Sequence, residues 1–336
     1  MPRAVGRLTS GWGGPRMTMF SRMMAALGVA VLATAPAYGA GFDVTAIGVR
    51  GGLDDGNLSA WMIAAQGQSK AVMCDAGTLV NGIDIARRRG TLKRSRETIL
   101  HDDIVGYLIS HPHLDHVAGM LIASPEDSAK SVYALPSVGS VLLDSYFNGK
   151  AWANFTDRGQ APIGKYKLVD LAPGKPVPLA GTAMTVTAYP LAHGGMESTA
   201  FLVESQQDAI LCLGDTGADA VEGASRLAEL WRAVGPLIAA RRLKAIIIEV
   251  SYPSERPRNL LFGHLTPALL FDELAQLEKA AGRAGSLKGL PLIVSHIKPA
   301  VSADDPRDLI ARQLAAANRL GVNLIIPSQG QRWTFR

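Results

Sequence analysis

Cysteine is nearly absent. Two occur in 336 residues, Cys74 and Cys212, and so low a count excludes a disulfide-built scaffold. Each ends an apolar, strand-like run (residues 71–74 and 209–212), so both are expected as buried free thiols, although an oxidising compartment would permit a bond. Net charge is also scarce once its location is considered. The formal net charge is +5, but the first 37 residues hold four arginines and no acid, so removing them leaves about +1. The basic pI therefore gives no reason to expect a nucleic-acid or membrane partner. Beyond residue 40 no run is long and apolar enough to span a bilayer. Internal repeats, low-complexity segments and linkers are missing too, which makes one domain the simplest count.

The first segment has its own character. Arg3, Arg7, Arg16 and Arg22 precede an apolar stretch, residues 23–33, too short for a stable membrane anchor. Small residues follow at Ala35, Ala37 and Ala40. A positive start, an apolar middle and a small-residue end describe a cleavable export signal. The expected cut lies after Ala37, with Ala40 second. Residues 1–37 are thus read as a signal peptide and 38–336 as one domain, long enough for a large α/β core and expected outside the cytoplasm, periplasmic or secreted.

Hydrophobic patterning gives strands at about 42–49, 58–64 and 70–75, with tight turns between them. A helix is expected near 80–86. The basic stretch 88–98 reads as an exposed face. A buried strand at 104–110 leads to a polar turn and then a helix from about 116 to 123. A helix over 137–147 and a loop-like stretch at 150–180 follow. Strands resume near 183–188, 199–203 and 209–213, and one long helix fills 218–241. Apolar runs at 243–249, 291–295 and 322–327 alternate with helices near 266–282 and 305–320. Strands come first, then strands and helices alternate, and the outline repeats after residue 180. That order predicts two mixed sheets packed face to face with helices outside, an αββα sandwich.

The most informative residues are His111-Pro112-His113-Leu114-Asp115-His116, directly after the strand ending at Ser110. Imidazole nitrogens and carboxylate oxygens are the donors that zinc and similar divalent metals prefer. A turn carrying four of them can serve two adjacent ions, His111 and His113 on one, Asp115 and His116 on the other. Two dications about 3.5–4 Å apart repel each other and need a bridging anion. Asp215, leaving the strand 209–213, is placed to supply it. His193 would complete the first ion and His296 the second, each following a strand. His101 is expected to be structural. Asp75 is placed to orient a ligand histidine through its far nitrogen. Such a site makes a hydroxide available near neutral pH and neutralises phosphate oxygens without redox change. Electron transfer would want a carboxylate in place of His113. An RNA phosphodiesterase or a lactonase could use the same site.

The turn, with the residues after Asp75 and Asp215, resembles the metallo-β-lactamase superfamily. The stretch from His111 through Gly119-Met120-Leu121-Ile122-Ala123-Ser124 to Pro125 is similar to the signature of the class II cyclic-nucleotide phosphodiesterases. Gly56-Asn57-Leu58-Ser59, Asp75-Ala76-Gly77-Thr78-Leu79, Leu261-Phe262-Gly263-His264-Leu265-Thr266-Pro267 and His296-Ile297-Lys298-Pro299 look similar to it as well. The resemblance implies a metallo-β-lactamase-like sandwich and hydrolysis of cAMP or cGMP to the 5′-nucleotide. It also implies a divalent pair, usually zinc, on His111, His113 and His193 and on Asp115, His116 and His296, with Asp215 between. A related superfamily enzyme that trims transfer-RNA precursors uses an acidic residue after a strand and a Gly-His motif to protonate the leaving oxygen. Glu249 and His264 look similar to that pair and are expected, with Asp115, in catalysis. Lys298 is expected to contact phosphate. Trp61, Tyr107, Tyr146, Phe147 and Trp152 are candidates for stacking on a base, each equally suited to a core. Cyclic nucleotide is the only partner expected, with neither nucleic acid nor a stable membrane anchor.

Overall fold

The computed structural model describes residues 40–301 and 304–336; the proposed signal segment lies outside them. Six strands follow in the first half: β1 (Phe42–Gly48), β2 (Ala60–Ala65), β3 (Ala71–Cys74), β4 (Ile104–Leu108), β5 (Lys130–Ala134) and β6 (Tyr166–Asp170). The second half gives β7 (Pro176–Pro178), β8 (Met184–His193), β9 (Met196–Ser205), β10 (Asp208–Leu213), β11 (Leu243–Glu249), β12 (Pro291–Ser295), β13 (Asn323–Ile325) and β14 (Arg332–Phe335). One sheet runs β14-β1-β2-β3-β4-β5-β6 and the other β13-β12-β11-β10-β9-β8-β7. Each is antiparallel over one half and parallel over the other, with β3–β4 and β10–β11 as the first parallel pairs. The expected two mixed sheets are present.

Side-chain alternation explains why the second sheet reads as unbroken apolar runs. Ile210, Cys212, Ala245, Ile247 and Ile293 belong to the core shared with the first sheet. Their neighbours Leu211, Leu213, Ile246, Ile248, Leu292 and Val294 join a second core under the outer helices. Both faces are covered, so polar alternation disappears.

The helices are α1 (Val80–Arg88), α2 (Arg96–Thr98), α3 (Leu114–Ala123), α4 (Pro136–Val141), α5 (Asp219–Glu222), α6 (Arg226–Ala239), α7 (Pro267–Ala280) and α8 (Arg307–Ala317). Helix α3 begins two residues earlier than expected, which puts Asp115 and His116 in its first turn. The expected single helix over 218–241 is two. Gly223 adopts a left-handed conformation (φ 63°) that ends α5, and the Asp219 carboxylate accepts from Leu227 N and Ala228 N to start α6. Thr266 caps α7 through its hydroxyl and Pro267 opens the helix.

Strands β5, β6, β7 and β14 lay outside the sequence expectation. In β5, Lys130 is buried and tied to Asp127 at 2.7 Å and to two backbone carbonyls, so a charged letter stands at a core position. The free-thiol expectation is corrected: Cys74 and Cys212 form a disulfide. They close β3 of one sheet and lie in β10 of the other, with Cα atoms 6.8 Å apart across the shared core. Of the five aromatic candidates, Trp61, Tyr107 and Phe147 are fully buried, Tyr146 is half-buried and Trp152 is exposed. Among the described residues, no helix is long and apolar enough to cross a membrane.

Candidate metal centre

Seven donors converge where strands of both sheets end. His111 and His113 leave β4, and Asp115 and His116 stand in the first turn of α3. His193 closes β8, Asp215 follows β10 and His296 follows β12. They meet as two groups. His111 Nε2 lies 3.0 Å from His113 Nδ1, which lies 3.3 Å from His193 Nε2. Asp215 Oδ2 is 3.7 Å from His111 Nε2 and 3.8 Å from His193 Nε2. In the second group His116 Nε2 faces His296 Nε2 at 3.1 Å, and His296 Nε2 lies 3.2 Å from Asp115 Oδ2. Asp215 reaches this group as well, at 3.3 Å from His116 and 3.3 Å from His296.

These separations match a cation's ligand shell. Tetrahedral zinc with ligands at about 2.0–2.1 Å places donors roughly 3.3–3.4 Å apart. The far side of each ring fixes which nitrogen points inward. His116 Nδ1 donates to Asp75 at 2.7 Å and His193 Nδ1 to the Gly263 carbonyl at 2.8 Å. His111 Nδ1 donates to Ser110 Oγ at 3.0 Å, and that hydroxyl donates to Asp75. His296 Nδ1 donates to Ser251 Oγ at 3.0 Å, and that hydroxyl donates to Glu249 at 2.7 Å. Asp75 thus accepts from His116 Nδ1 directly and from the Ser110 hydroxyl beside His111.

Two observations fit divalent ions here. Asp215 Oδ2 is buried without a hydrogen-bond donor, a costly state that a shared cation relieves. The electrostatics agree. Burial, with the neighbouring His116, holds His111 well below the ordinary imidazole range, so it stays neutral and able to ligate. Burial alone would depress His116 as well, yet Asp215 and Asp75 raise it well above. Carboxylates that favour a proton at that point favour a metal cation in its place. Burial opposes charge on Asp215 itself, but His296 and His116 keep it ionised.

The backbone is shaped to the same end. Asp75, His296 and Phe262 all adopt left-handed conformations that side chains rarely take (φ 57°, 59° and 51°). A Cβ on Gly51 would collide with the His296 ring, so glycine is required there. Gly52 N donates to Asp115 Oδ2 at 2.9 Å.

His264 and Glu249 stand beside this centre. Glu249 is fully buried, and its Oε1 accepts from His264 Nδ1 at 2.7 Å and from Thr216 N at 3.1 Å. His264 Nδ1 also comes within 3.8 Å of Asp215 Oδ2. Burial disfavours an imidazolium, but Glu249 outweighs it and raises His264 above its ordinary range. Lys298 Nζ donates to His264 Nε2 at 2.8 Å, a contact the sequence did not suggest. His101 lies elsewhere, its Nε2 on the Glu126 carbonyl at 2.7 Å. Sequence reasoning missed Ser110, Ser251 and the Gly263 carbonyl. Ser110 and Ser251 could have been found as hydroxyls adjoining His111 and Glu249.

A two-sheet sandwich with helices outside and a cluster of histidines and aspartates at the strand ends is the metallo-β-lactamase-like architecture. The metallo-β-lactamase fold protein YhfI of Bacillus subtilis superposes with a TM-score of 0.58 at 15% identity, over 88% of this chain and all of that one. Unliganded yeast PDE1 superposes with a TM-score of 0.78 at 23% identity, over 88% and 100%. Residues 87–330 match the family described as cAMP phosphodiesterases class-II, and the chain belongs to that family. A 3′,5′-cyclic-nucleotide phosphodiesterase of Aliivibrio fischeri is 44% identical over 88% of this chain and 93% of its own. A probable 3′,5′-cyclic-nucleotide phosphodiesterase of Yersinia pestis is 38% identical over 88% and 90%.

Proposed function

We propose that the chain is an exported hydrolase that opens the 3′,5′-cyclic phosphodiester of cAMP or cGMP to the 5′-nucleotide. The observation that carries this reading is the pair of donor groups sharing Asp215, in a chain of this family. His111, His113 and His193 would hold one divalent ion and Asp115, His116 and His296 the other, with Asp215 between them and zinc the best match to nitrogen-rich ligation. When bound, such a pair lowers the pKa of water and neutralises phosphate oxygens.

The chain's own groups have separate tasks. Water adds to phosphorus, the bond to the ribose 3′ oxygen breaks, and that oxygen takes a proton. Glu249 holds His264 Nδ1–H, so Nε2 is the atom that delivers it. Lys298 Nζ lies 2.8 Å from the same Nε2 and donates to it only while that atom is unprotonated; when Nε2 carries the proton the ammonium is free to turn to the phosphate. Asp75 acts by holding His116 in place, and Asp115, a ligand of the second ion in this reading, is itself oriented by Gly52 N–H. Export rests on the basic and apolar leader, and a disulfide in a chain with only two cysteines supports an oxidising compartment.

The test is turnover of cAMP and cGMP by purified mature protein, abolished by a chelator and restored by zinc. Absence of turnover of both nucleotides by metal-loaded protein would reject the reading.

A further inference from the structure

Four exposed large apolar side chains belong to segments that carry or hold the donors of this centre. Leu53 follows Gly52, whose backbone N–H reaches Asp115. Leu114 sits between His113 and Asp115, and Met196 pairs with His193 in the β8–β9 hairpin. Phe262 precedes Gly263, whose carbonyl holds His193. All four are exposed, Leu53, Leu114 and Phe262 by about 60% of their surface (61%, 60% and 61%). They come from four separate segments, two in each half of the chain: Leu53 and Phe262 from loops, Leu114 from the start of α3 and Met196 from the start of β9.

Phe262 stands out among them. Its neighbours Leu261 and His264 are buried, so the loop is anchored on both sides of a ring left in water. Its backbone is left-handed at φ 51°, an unfavourable choice for a bulky side chain. A Cβ on Gly194 would come within 3.0 Å of the Phe262 carbonyl, so this strained backbone lies directly against the His193 turn. Strain and exposed apolar area together destabilise the free protein, and a ligand covering the ring offsets both.

Resting on the cyclic-nucleotide reading, we propose that Phe262 is the stacking platform for the substrate's purine, with Met196, Leu114 and Leu53 completing an apolar rim. The phosphate and the base are then divided between two chemistries. Charge and donors at the strand ends take the phosphate, and the apolar rim takes the flat base. Aromatic stacking tolerates either purine, so the platform lowers KM without choosing between adenine and guanine.

The experiment compares cAMP with ribose 3′,5′-cyclic phosphate lacking a base, in the zinc-loaded wild type and in Phe262→Ala and Phe262→Trp variants. Phe262 is exposed, so its replacement leaves the core intact, and circular dichroism verifies this. The expected result is a KM for cAMP raised roughly tenfold or more in Phe262→Ala, with kcat within about twofold. The KM for the baseless substrate stays unchanged, and Phe262→Trp restores the cAMP value. Equal KM values for the two substrates in the wild type, or no change in Phe262→Ala, would overturn the platform while leaving the phosphodiesterase reading standing. A wild type that turns over neither substrate overturns both.

Discussion

Asp75 accepts a hydrogen bond from His116 Nδ1 at 2.7 Å, and the same carboxylate takes the Ser110 hydroxyl that carries His111. One buried residue thus fixes a histidine in each donor group. Asp75→Ala should lower metal affinity about 10- to 100-fold while leaving all seven proposed ligands in place. Competition against a chromophoric chelator measures this. Unchanged affinity would reduce Asp75 to a turn residue.

His113 is the exposed member of its donor group, so His113→Ala tests ligation with little risk to folding. Turnover of cyclic nucleotide should fall by orders of magnitude with the melting temperature of the metal-free protein nearly unchanged, and His101→Ala should cost little. Metal analysis should give two ions per wild-type chain and one per His113→Ala chain. The reverse ordering of the two variants would show the histidines to be wrongly assigned.

His264 and Glu249 are expected to act as one unit. His264→Ala should slow cAMP hydrolysis by roughly 10²–10⁴-fold. Adding Glu249→Gln to that variant should cost little more, because the carboxylate works through the imidazole. A diester with a p-nitrophenolate leaving group needs no proton and should lose far less in His264→Ala. Equal losses on both substrates would place His264 in the metal shell, as its proximity to Asp215 and His296 allows.

The Cys74–Cys212 bond closes a span of 138 residues. The Cys74→Ala/Cys212→Ala double variant should lose about 2–5 kcal/mol of stability, read by urea unfolding. Reductant should lower the unfolding midpoint of the wild type and leave that of the variant alone. Thiol titration of denatured wild type that finds two free cysteines would remove the bond from the account.

The proposed metal positions were legible because each follows a strand, and strand ends at one edge of a two-sheet fold converge. His193, Asp215 and His296 are far apart in the chain, yet they stand at the ends of alternate strands of the second sheet, β8, β10 and β12. The sheets themselves were readable from apolar runs such as 243–249. Strand β5 was not, because Lys130 sits at a buried position whose ion pair the sequence does not announce. The cysteine pairing was hidden for a similar reason: two core strands read alike whether or not their side chains face each other. The break between α5 and α6 turned on one glycine conformation, and the Lys298 contact on a side chain folding back rather than reaching out.

Donors drawn from both sheets have a further result. Four lie within residues 111–116 of the first sheet's half and three on the second, so bound cations would rivet the seam that Cys74 and Cys212 already clasp nearby. Neither half of the polypeptide, made separately, holds a complete coordination sphere. Bound ions would thus favour the docked arrangement of the two layers, and amides along β4 and β12 should gain exchange protection together when metal is added.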